Sequence, residues 1–88
     1  MRFLYENEQS YIGATHLYQK LQNLNIDPPP IPSLPHVFSA EDMGYWLDSL
    51  ENDLRFCSSC SEDYHYVASV IKTLRRWADL GRLIHVRA

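Results

Sequence analysis

All five prolines of this 88-residue chain fall in one stretch, Asp27-Pro28-Pro29-Pro30-Ile31-Pro32-Ser33-Leu34-Pro35. Each proline lacks an amide donor and pushes the residue before it out of the helical region. No helix passes through such a run. The segment is expected to be extended, near polyproline II, at roughly 3.1 Å per residue. Eight such residues span roughly 25 Å, the length of a helix of about four turns. A connector over 27–38 can therefore carry the chain from the end of one helix back to the start of a parallel one.

The two sides of this connector read differently. Before it, Ala14, Leu17, Tyr18, Leu21 and Leu24 recur at spacings of three and four, one apolar stripe of a helix over Tyr11–Leu24. Ser10 is placed to cap it, while Gly13 weakens its first turn. After the connector the signal is stronger. Ser39 caps a second helix, Glu41 and Asp42 suit the positive end of its dipole, and Phe38 can pack on Met43 as a hydrophobic staple. Met43, Leu47, Leu50, Leu54 and Cys57 follow as a narrow seam. Ser61 caps a third helix, whose buried face is Val67, Val70, Ile71, Leu74, Trp77 and Ala78, and Gly81 stops it. Helices two and three, joined by a short turn, form an antiparallel hairpin. Arg2–Tyr5 and Arg82–Val86 read as short strands that can pair as a small two-stranded sheet. The expected fold is mainly α: one domain over 1–88, three helices with a proline bridge after the first, and the termini tied together.

Composition narrows the class. Leu, Ile, Val and Phe make up about a quarter of the chain, enough for a core. Two cysteines are too few for a disulfide scaffold. No apolar run approaches the roughly 20 residues of a membrane span. The start Met1-Arg2-Phe3-Leu4-Tyr5-Glu6 lacks the apolar stretch of a signal peptide. A cytoplasmic protein with no membrane contact is expected.

The formal net charge of −3 conceals a bipolar chain. Residues 40–63 carry Glu41, Asp42, Asp48, Glu51, Asp53, Glu62 and Asp63 against Arg55 alone, whereas residues 64–88 carry Lys72, Arg75, Arg76, Arg82 and Arg87 against Asp79. One reading is mutual attraction of adjacent antiparallel helices; the other is steering of an oppositely charged partner.

Candidate chemistry is sparse. With three glycines in the chain there is no phosphate-cradling loop, and the four histidines lack nearby triad partners. No catalytic residue and no cofactor is assigned, and an enzyme is not expected. Cys57 and Cys60 form a single C-x-x-C. With His65 they make at most three of the four ligands of a structural zinc site, so a zinc-stabilised domain is a minor alternative. Lys72, Arg75 and Arg76 cluster toward the end of helix three. They support a second alternative, a DNA-binding regulator, although Glu62 and Asp63 at its start would repel phosphate. Two overlapping P-x-x-P strings could serve a groove domain, but a stiff spacer explains them.

The aromatic residues are the most suggestive feature. Tyr45 and Trp46 lie off the helix-two seam and Tyr64 off the helix-three stripe, close to Asp48, Glu51 and Asp53. Exposed rings beside carboxylates are what protein interfaces favour; the competing account is that the first helix or the proline segment covers them. These six residues are the candidate contact set of a non-enzymatic protein-binding module, such as an inhibitor, adaptor or accessory subunit. An inhibitor encoded by a phage or mobile element, presenting carboxylates where phosphates would bind, fits the acidic stretch. The partner is another protein or a second copy in a homodimer.

Overall fold

The computed structural model describes residues 1–5 and 11–87. Among these, the chain runs β1 (Arg2–Tyr5), β2 (Tyr11–Gly13), α1 (Ala14–Asn23), β3 (His36–Phe38), α2 (Ala40–Leu54), α3 (Glu62–Asp79) and β4 (Ile84–Arg87). The two terminal strands do pair, antiparallel, with Phe3 opposite Val86 and Tyr5 opposite Ile84. They are not a lone ribbon, as expected, but the inner pair of a four-stranded antiparallel sheet ordered β2-β1-β4-β3. The two edge strands have three residues each. Such segments are too short to show a period of two, and their strand character comes from the open edges of β1 and β4.

Strand β2 replaces what the helical reading took as the first turn of α1. Its helix begins at Ala14, and Gly13 at the N-cap makes no side-chain hydrogen bond. The Ala14 amide donates instead to the Met1 carbonyl at 2.9 Å, so the sheet satisfies one orphan donor of the helix start. The expected cap, Ser10, lies outside the described residues. At the other end Asn25 takes a left-handed φ of 59°. Its amide donates to Gln22 and that of buried Ile26 to Leu21, a Schellman arrangement that stops the helix at Asn23, five positions before Pro28.

The caps of α2 and α3 are as expected. The Asp42 amide donates to Ser39 Oγ at 3.1 Å and the Tyr64 amide to Ser61 Oγ at 3.0 Å. Gly81, with φ of 74°, follows α3, and its amide donates to the Ala78 carbonyl. Only a residue without Cβ adopts that φ cheaply.

Cross-helix contacts fix the directions of the helices. Lys20 meets Asp63 at 3.1 Å and His16 stacks edge-on against Tyr66 at 4.7 Å, so α1 and α3 run antiparallel. Arg75 meets Glu51 and Asp48, whereas Leu54 lies by Tyr64, so α2 and α3 also run antiparallel. Helices α1 and α2 are therefore parallel, and the proline strap spans the length between them. All three helices cover one face of the sheet. Phe3, Phe38, Ile84 and Val86 from the strands join Leu17, Leu21, Met43, Leu47, Leu50, Val67, Ile71 and Leu74 in one core. Among the described residues no helix is long and apolar enough to cross a membrane.

Trp46 belongs to this core. It is 5% exposed and packs against Phe3 and Phe38 at 5.5 and 5.9 Å between ring centroids. Its Nε1 donates to the Pro29 carbonyl at 3.1 Å, which ties the strap to α2. Replacing Trp46 by Phe removes that bond and leaves a part-buried carbonyl without it. A loss of about 1–3 kcal/mol in chemical denaturation is expected; a loss below about 0.5 kcal/mol would show that the strap is held without this bond.

Candidate functional site

The side chains proposed from the sequence as a contact set divide into three groups. Trp46 is interior, so it is withdrawn from any partner surface. The sequence carried the signal. Trp46 lies three residues after Met43 and four before Leu50, on the flank of the core stripe. A narrow seam would leave it outside, but α2 packs on both α3 and the sheet and so buries a wider stripe.

Tyr45, Asp48 and Asp53 are exposed on α2, and Tyr45 is 65% accessible. The Tyr45 hydroxyl donates to Glu41 Oε1 at 3.1 Å, one helical turn earlier. This hydrogen bond, with the charge of Glu41 and smaller contributions from Asp42 and Asp48, raises the phenol pKa above its ordinary value of 10.0. The neutral hydroxyl can donate to the carboxylate, whereas a phenolate would be repelled.

Tyr64 and Glu51 converge on a cleft between α2 and α3. It has a volume of about 220 Å³ and is lined by Glu51, Leu54, Arg55, Tyr64, Ala68 and Ile71. Leu54 and Ile71 are buried and Ala68 half-buried, giving an apolar floor. Glu51, Arg55 and Tyr64 add polar atoms around it. The dimensions suit one side chain of a partner. Phe56, next to Arg55 in the turn that ends α2, is 87% exposed. It lies outside the contact set read from the sequence. Its signal was a large ring placed after the helix end, where no apolar stripe claims it.

Arg75 takes two of the three carboxylates in the set. Its Nε donates to Glu51 at 2.7 Å and its Nη2 to Asp48 at 2.6 Å. These two hydrogen bonds, Glu51 first, raise the guanidinium pKa, and partial burial opposes them. The basic cluster Lys72, Arg75, Arg76 thus loses its central member to internal pairing, which leaves exposed Lys72 and Arg76. At the start of α3, Glu62 is exposed and Asp63 is held by Lys20. The expected electrostatic attraction between α2 and α3 is therefore present, but it runs through one arginine.

The zinc alternative does not assemble. Among the described residues no group of three or more His, Cys, Asp and Glu side chains is placed to hold a metal ion. The Cys57 thiol is half-buried and faces the Leu24 carbonyl at 3.8 Å, Cys60 is exposed, and His65 stacks edge-on against Tyr64.

No protein-family model matches the chain, and no curated protein or solved structure is significantly similar to it.

Two measurements check this geometry. Glu41→Gln should move the Tyr45 titration, followed through its ring resonances, down towards the ordinary phenol value; an unmoved titration would mean the hydrogen bond is not made in solution. Arg75→Met should lower stability by about 0.5–1 kcal/mol at low salt and by less at high salt, because the pairs are partly solvated. Equal melting curves for the two proteins would show that the pairs contribute nothing.

Proposed function

We propose that this protein is a non-catalytic protein-binding module, an inhibitor, adaptor or accessory subunit, which receives its partner on the outer face of α2 and the α2–α3 cleft. The observation that carries this reading is Phe56, a large ring 87% exposed that follows Arg55, a lining residue of a cleft with an apolar floor. A ring left in water loses the gain of burial, and aromatic rings are typical anchors of an interface. Tyr45 adds a second exposed ring, on α2 itself, at little entropic cost.

The partner has the complementary chemistry: an aliphatic side chain for the cleft, and basic groups for Glu41, Asp42, Asp48 and Asp53. A surface that otherwise holds nucleic-acid phosphates has such groups, which is the basis of the inhibitor version. Two free cysteines suit a reducing compartment such as the cytoplasm.

The test uses Phe56→Ser and Asp53→Asn together, which leave the core and the Arg75 pairs in place. A pull-down from host extract with wild type and variant, scored by quantitative mass spectrometry, should lose its specific protein by at least about tenfold in the variant. Binding of the captured protein should weaken as salt rises. If both baits hold the same proteins equally, or if wild type captures none, the reading fails.

A further inference from the structure

The helices leave the other face of the sheet uncovered. Across it Tyr11, Leu4, His85 and Val37 stand in one rung, one residue from each strand. In the next rung Arg2 lies directly opposite Arg87. Like charges in that relation destabilise a sheet. Among the described residues neither arginine has a carboxylate within ion-pair distance, and none of the four strands contains an acidic residue. Beside Arg87, an open groove of about 510 Å³ is lined by Leu34, Pro35, Val37 and His85. Leu34 and Val37 are 42% and 44% exposed.

We propose that this face binds an extended acidic segment of a partner protein, with a carboxylate held at Arg2 and Arg87 and an aliphatic side chain in the groove of Leu34, Pro35 and Val37. Two arginines directly opposite each other on paired strands match a carboxylate in charge, and an anion held by both removes their repulsion. A cost to the free sheet is thereby recovered on binding. Leu34, Pro35 and Val37 give the groove aliphatic walls beside His85 and Arg87, which suits Leu, Ile or Val of the segment. Single-stranded nucleic acid would need open ring faces for its bases. Here the Arg2 guanidinium lies over the Tyr11 ring, 5.8 Å from its centroid. A second copy docking the same face would set four arginines against each other. This surface is separate from the α2–α3 cleft and opposite to it in charge, so one molecule engaging both would bridge a basic and an acidic protein.

A displayed random decapeptide library panned on the 88-residue chain tests the proposal. Enriched peptides should combine Asp or Glu with Leu, Ile or Val. Their affinity, read by fluorescence anisotropy, should fall at least about tenfold with Arg87→Glu and also with Arg87→Gln. The melting temperature of Arg87→Glu should be unchanged or higher, because it turns a like-charge pair into an opposite one. Loss of binding with a gain of stability is not what a structural defect produces. The proposal is overturned if no peptide is enriched, if the enriched peptides lack acidic residues, or if both Arg87 variants bind as wild type. Tighter binding of oligo-dT than of the peptides overturns it in favour of nucleic acid. Dimerisation in sedimentation velocity that Arg87→Gln alters overturns it in favour of a second copy.

Discussion

The pairing of β1 with β4 is the contact on which the rest of the structure hangs. It joins the two ends of the described chain in the middle of the sheet, with Phe3 against Val86 and Tyr5 against Ile84. Closing so long a loop costs chain entropy, and that cost is met only when the inward side chains of both strands are buried under helices. Phe3, Ile84 and Val86 are fully buried. Once the pair exists its outer edges are open. Strand β2 then adds to β1 and β3 to β4, and Met1, just before β1, supplies the carbonyl that receives the first amide of α1. The short edge strands and the start of α1 are consequences of the central pair.

The helices are organised by α3. It lies antiparallel to both α1 and α2, and each flank contributes an ionic contact to it, Lys20–Asp63 on one side and Arg75 with Asp48 and Glu51 on the other. This makes α1 and α2 parallel, a relation that no short turn can produce. A stiff strap of prolines supplies the length, and the Trp46–Pro29 hydrogen bond holds it down. The proline run thus carries the chain from α1 to β3, whose residues 36–38 end the expected connector as a strand.

Charge is distributed by surface rather than by segment. The acidic stretch of the sequence becomes the outer side of α2, but Arg75 neutralises part of it. The basic stretch does not form one patch: Arg75 turns inward to α2, while Arg87 goes to the open sheet face and meets Arg2 from the other end of the chain. Two surfaces of opposite sign result, one helical with exposed rings and one on the sheet with an aliphatic groove.

The helices were legible because a cap, an apolar period and a stop each act within a few residues. Ser39, Ser61 and Gly81 announce their roles locally, and the core stripes of α1 and α3 follow from spacing alone. The fate of Trp46 was not decided locally, since the width of a buried stripe depends on how many neighbours a helix has. Nor was the candidate surface. Tyr45 and Phe56 looked no more exposed than Trp46 until the strap and the sheet had claimed the tryptophan.

By itself the sequence determined three helices, the caps of the second and third, the extended proline connector and strand-forming ends, because these rest on interactions within one or two turns of chain. Tertiary structure alone decided that the sheet has four strands, that Arg75 is shared by two carboxylates and that Arg2 faces Arg87. Those outcomes join residues far apart in the chain, and a strand of three residues or a lone arginine carries no local mark of its partner.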